Sequence, residues 1–243
     1  MDKKYEILND DYIIFNGHKL FRIRALKNFQ TIQGHMVNTG DLGGYVQNEN
    51  NLSQEGNCWV GDDARVFDNA KVFNNACVSD NAWVGGNAII SENACVCGNV
   101  NVYDYARVFN NAKVYNHARV SGNACVYGDA CVYGNAKVYD SAFVSGYAKV
   151  YDNARVGDDA YVFDNAKVFN NACVSDNAWV YDYAWVYGNA RVYDYACVCG
   201  KAMVYSDARV FDNAYVYDNA KVYGNAVVCD NTEVLGDTLV QNA

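Results

Sequence analysis

Cys95-Val96-Cys97, with Cys77 eighteen residues before Cys95, is the first place to look for chemistry. Three thiols held together could ligate zinc. A tetrahedral site needs a fourth ligand, and no Cys or His follows at a matching position, so surface thiols are the expected reading. Cys197-Val198-Cys199 repeats the triplet without further thiols. General-base work calls for His, and the chain has three, His18, His35 and His117. His117 stands where Asn is usual (Asn111, Asn123), which reads as a turn substitution. Carboxylates recur at Asp140, Asp158, Asp176, Asp194, Asp212 and Asp230, after Asp68 and Asp104. Stacked acids invite calcium, but the glycine–aspartate nonapeptide of calcium-binding β-rolls does not occur. Local capping of each turn is the expected role. No Ser–His–Asp set or phosphate-cradling glycine loop is visible. Gly43-Gly44 precedes a strand rather than a helix. No catalytic residue, metal or cofactor is assigned.

What must position these groups is a strict repeat. Every sixth residue from 60 to 240 is Val, apart from Ile90, and the residue two before it is Ala at 27 of those 31 positions. Only Cys58, Val100, Thr232 and Thr238 depart from Ala, and no insertion breaks the register. Ala-x-Val alternates inward, outward, inward, which makes a very short strand. Pairs such as Gly128-Asp129, Gly134-Asn135 and Asp152-Asn153 follow, and these residues tolerate the left-handed backbone of a tight corner. Strand and corner within six residues cannot form a hairpin meander. They fit a parallel β-helix of three strands per eighteen-residue coil, about ten coils in all.

The Val-x-x-x-Ala-x hexads resemble the left-handed β-helix of the hexapeptide-repeat family, which includes many acyltransferases. Gly43-Gly44-Tyr45-Val46 through Leu52-Ser53-Gln54-Glu55-Gly56-Asn57-Cys58-Trp59 is similar to YdcK-like proteins, which carry an acetyltransferase assignment by fold. The resemblance implies an all-β, left-handed parallel β-helix of triangular coils over 58–243. The left hand comes from the resemblance alone. Acyltransferases of this kind imply a His base near a protruding loop and an acyl-CoA held between subunits of a trimer. No loop interrupts 58–240 here, and two of the three His precede the repeat.

Residues 1–57 do not repeat. Tyr5 to Phe15 and His18 to Leu26 flank Asn16-Gly17, a strong hairpin signal. Inner faces through Ile7, Ile13, Phe15 and Leu20, Arg22, Arg24 are one register. The hairpin is expected to cap the first coil, whose backbone edge and apolar end would otherwise lie open. Leu235 and Leu239 mark the other end, expected to be a contact site or shielded by oligomerisation.

Residues eighteen apart stack, so outward columns can be read directly. The first face carries Tyr115, Tyr133, Tyr151, Phe169, Tyr187, Tyr205 and Tyr223 after its Val. The second face is basic at mid-strand, through Arg65, Arg119, Lys137, Arg155, Arg191 and Arg209, and its corner holds the Asp series. The third is apolar, through Ile89, Cys125, Phe143, Tyr161, Trp179, Cys197 and Tyr215. Stacked rings stabilise a solenoid, and so long a ladder also makes a protein-binding surface. The seven aromatics of the first face are therefore the candidate binding residues.

Net charge is −9, which disfavours direct nucleic-acid binding. No signal peptide or membrane-length apolar run is present, so a cytoplasmic location with reduced thiols is expected. The leading expectation is a non-enzymatic scaffold or interaction module. Its expected partner is itself, as a dimer or trimer, or another protein. Two alternatives are an acyl-CoA-dependent acyltransferase and an acidic mimic of nucleic acid that blocks a DNA- or RNA-binding protein.

Overall fold

Short strands every six residues need a partner strand eighteen residues away to satisfy their backbones, and that is what forms. A computed structural model describes residues 3–242. It divides into two compact units, Met1–Gly122 and Asn123–Ala243. In both, the column Val ends a two-residue strand, as in Trp83–Val84 and Phe143–Val144. In the first unit Trp83 pairs with Asn101 and Val84 with Val102, in parallel. In the second Phe143 pairs with Tyr161 and Val144 with Val162. In each unit the coil strands fall into three such parallel sheets. The protein is an all-β solenoid.

The interior is what the two columns specify. Interior Val and Ala such as Val132, Ala148 and Val150 have no solvent exposure. Each coil closes its corners with a turn: the Ala148 N–H donates to the Ser145 carbonyl at 3.2 Å, and the next N–H, of Lys149, crosses to the Ala166 carbonyl at 2.9 Å. The first corner residue takes a left-handed conformation, with φ 54° at both Asp140 and Asp158. Asp, Asn and Gly accept that region at least cost, which explains their predominance there, with Glu92 and Ser206 as exceptions.

The N-terminal hairpin pairs β1 (Tyr5–Phe15) with β2 (His18–Ala25) antiparallel around Asn16-Gly17, whose φ values are 49° and 82°. A small second hairpin follows, β3 (Phe29–Gln30) against β4 (Met36–Val37). β5 (Leu42–Val46) pairs antiparallel with β2 and parallel with Arg65–Val66, joining the hairpin to a solenoid sheet. The alternation expected through Leu20, Arg22 and Arg24 slips by one residue. Leu20, Ile23 and Ala25 are buried, while Arg24 is exposed and pairs with Glu6. The cause is a register shift between Arg22 and Arg24 in the pairing with β5. Arg22 still turns inward, with its guanidinium 4.2 Å from the Tyr45 ring centre and a 2.9 Å bond to the Gly43 carbonyl.

One departure from the Ala column has a clear reason. Cys58 faces the buried ammonium of Lys4, which donates to the Cys58 carbonyl at 2.8 Å and its thiol at 3.1 Å, and to the Gly56 carbonyl at 3.2 Å. An Ala there would leave this cation one acceptor short.

Candidate functional site

The first-face ladder forms as a stack of rings. Within the second unit Tyr133–Tyr151, Tyr151–Phe169, Phe169–Tyr187 and Tyr187–Tyr205 all lie 4.9 Å apart, with interplanar angles of 4° or less. Tyr205–Tyr223 continues it at 5.2 Å. Tyr115 occupies the same position in the first unit and is half-buried. The spacing follows from the strands, since paired strands repeat at about 4.8 Å. Because each ring covers its neighbour's faces, every member is half-buried and offers solvent mainly its edge.

The more open apolar surface lies on the third face of the second unit and its corner. Trp179 is 47 % exposed, Tyr195 66 % and Tyr215 42 %. Phe143 and Tyr161 stack at 4.8 Å, but Trp179 tilts 47° from Tyr161 and leaves the ladder. Cys197, between Trp179 and Tyr215 in register, is buried. The large rings flanking a small thiol thus lie partly free.

The Asp corner series bonds between coils rather than to its own turn, which corrects the expected local capping. The carboxylates of Asp158, Asp176, Asp194 and Asp212 accept the N–H of the Asp one coil on, at 3.3, 3.4, 3.3 and 3.1 Å. Each backbone dipole offsets part of the like-charge stacking. Among the described residues, one group brings metal-ligand atoms within 4.8 Å of one another: Asp212, Cys229 and Asp230. Its thiol donates to the Asp230 carboxylate at 3.5 Å.

The Cys77, Cys95 and Cys97 cluster also differs from expectation. The three side chains leave the coil outward, and Cys77 pairs with Cys95 in register. Yet Cys77 is only 4 % exposed and Cys95 7 %. The β3–β4 hairpin lies over them, anchored by Phe29 edge-on to Trp59 at 5.4 Å and by a Gln33 hydrogen bond to Cys95. Burial, then the neighbouring thiols and Asp62 and Asp80, push Cys77 up to about 12. Under the hairpin is a cavity of about 470 Å³ whose lining includes His35, Cys77, Cys97, Asp41, Asp62 and Asp80. Sequence spacing could not place His35 there, because the segment carrying it is outside the repeat. The one signal was the small residues Gly61 and Ser79, which occupy the ladder positions beneath the hairpin.

The three His do not come together at one site. His18 lies 3.4 Å from the Asp68 carboxylate and 5.1 Å from the Phe67 ring centre. His35 lines the thiol cavity, and His117 is an exposed corner residue. Replacing Phe29 with Ala should loosen the hairpin. Labelling of Cys77 and Cys95 by a thiol reagent is then expected to quicken about tenfold, the factor for about 1.4 kcal/mol of lost ring contact. Labelling of the half-exposed Cys125 and Cys131 should not change. Unchanged protection of Cys77 would mean that the hairpin does not shield it.

Residues 184–200 match the YdcK Beta solenoid repeat. Repeat and stacked coils together make this chain similar to YdcK-type β-solenoids. No curated protein matches the chain. No helix among the described residues is long and apolar enough to cross a membrane.

Proposed function

We propose that this solenoid is a non-enzymatic scaffold that binds protein through the aromatic third face of its second unit, and that its first partner is a second copy of itself. The observation that carries this reading is the cluster of Trp179, Tyr195 and Tyr215, all large, aromatic and open to solvent. Scattered single apolar residues are ordinary on a surface. Three broad aromatics on neighbouring coils, two on one face and one at its corner, resemble the anchors that dominate interfaces. Tyr and Trp also give up little side-chain entropy for the area they cover. The first-face ladder serves mainly as internal support in this reading, with its edges extending the contact surface.

Sedimentation of the wild-type chain should show a dimer or trimer. Replacing Trp179 and Tyr195 with Lys should shift it toward monomer, with at least a tenfold weaker association constant, since truncating a buried anchor costs on the order of 2 kcal/mol or more. The same change at Tyr151 and Tyr187 should lower stability more than it weakens association. A monomeric wild type at all concentrations would remove self-association from the proposal.

A further inference from the structure

The second face carries an interrupted ladder. Tyr193 and Phe211 stack there at 4.9 Å with an interplanar angle of 7°. One coil below Tyr193 the position holds Ser175, so the other face of the Tyr193 ring meets no ring. One coil further down is Gly157, over which Tyr139 leans so closely that a Cβ would come within 2.2 Å of its ring. The basic column is interrupted at the same coil. Arg155 pairs in register with Cys173, and Cys173 with Arg191. The missing side chains leave a groove of about 760 Å³ across the face, floored by Cys173 and Ser175 and walled by Arg155, Arg191, Arg209 and Tyr193.

The charges in this groove are not paired with one another. Among the described residues, Arg155, Arg191 and Arg209 form no salt bridge, although the chain is acidic overall. Asp176 and Asp207 also line the groove, and each carboxylate already accepts a hydrogen bond. Asp176 accepts the Asp194 N–H at 3.4 Å and the Ser175 hydroxyl at 3.2 Å. Asp207 accepts the Asn189 amide at 2.9 Å. Arg191 and Arg209 sit on directly paired strands, where like charges repel unless an anion intervenes.

We propose that this groove binds a planar aromatic group carrying a phosphate, the ring taking the empty rung against Tyr193 and the phosphate lying over Cys173 between Arg155 and Arg191. The dimensions suit it. Arg155 and Arg191 are two strand steps apart, about 10 Å, which leaves room for one tetrahedral oxyanion held from both sides. Cys173 and Ser175 are two residues apart along the strand, about 7 Å, so ring and phosphate must be separated by a short linker. A nucleoside monophosphate has that form. Stacking on Tyr and guanidinium contacts to phosphate reinforce each other without base-specific hydrogen bonds.

Calorimetric titration with three probes tests the parts separately: adenosine for the ring, inorganic phosphate for the anion, and adenosine 5′-monophosphate for both. The monophosphate is expected to bind at least tenfold more tightly than either fragment, the gain roughly expected from one stacked ring. Arg155→Gln with Arg191→Gln should weaken monophosphate binding tenfold or more and leave adenosine unchanged. Ser175→Tyr should complete the ladder, retain the melting temperature, and bring monophosphate binding down to that of phosphate. Lys137→Gln, on the same face outside the groove, should change nothing. The proposal fails if the monophosphate binds no better than phosphate, or if Lys137→Gln matches the Arg pair. It also fails if a folded Ser175→Tyr protein binds as wild type. Should Ser175→Tyr not fold, the exposed Arg variants decide the matter.

Discussion

Replacing Ala148 with Leu is expected to destabilise the second unit by about 1–3 kcal/mol or more. Ala148 has no solvent exposure. Its carbonyl accepts the Cys131 N–H from one neighbouring coil at 2.9 Å, and the N–H that follows it, of Lys149, bonds the Ala166 carbonyl of the other at 2.9 Å. Neither coil can therefore move along the stack without stretching backbone bonds. Three added carbons have to displace side chains in a close-packed interior. The exposed neighbour Lys149→Leu is the control and should stay within about 0.5 kcal/mol of wild type. Thermal or urea melts of the two variants read the difference. Equal melting points would mean that Ala148 does not face the interior.

Alkaline pH should unfold the protein by a separate route. Cys77 ionises near 9 in an unfolded chain and only at about 12 in the folded one, because burial disfavours the thiolate. The folded state therefore keeps a proton that the unfolded state releases. Stability is whole below about pH 9 and drains away between about 9 and 12, by on the order of 4 kcal/mol from this thiol alone at about 1.4 kcal/mol per pH unit. Burial likewise raises Cys95, Cys173 and Tyr5, and each steepens the fall. Lys4 works in the opposite sense. Burial lowers its pKa, so its contribution improves as pH rises toward 10.5, its ordinary value. Urea denaturation under reducing conditions from pH 7 to 11 should show stability dropping above pH 9. A Cys77→Val variant should drop less steeply. A flat wild-type profile would contradict the burial of these thiols.

Much of the architecture was legible because the repeat determines it residue by residue. Val132 and Ala148 are interior, Asp140 and Asp158 are left-handed corners, and Tyr151 and Phe169 stack, as their columns implied. The candidate binding surface was legible only in part. The stacked Tyr column is conspicuous in sequence, yet stacking hides most of each ring. Trp179 and Tyr195 are more open because Trp179 tilts out of line and Tyr195 projects from a corner.

The sequence by itself determined the coil: which residues point inward, where corners fall, and which side chains share a column. It could do so because a six-residue period leaves one register in which the Val column from Val60 to Val234 is buried and its strands find partners. Only the tertiary structure decided what covers or vacates those columns. The β3–β4 hairpin comes from outside the repeat, so its position over Cys77 and Cys95, and the place of His35 in one cavity lining with Cys77 and Cys97, follow from contacts of long sequence separation. Lys4 finds Cys58 in the same way. The groove at Cys173 and Ser175 depends on how far the neighbouring Arg155, Arg191 and Tyr193 side chains reach. Periodicity fixes the direction of a side chain, while packing and hydrogen bonding decide how much of it solvent can reach.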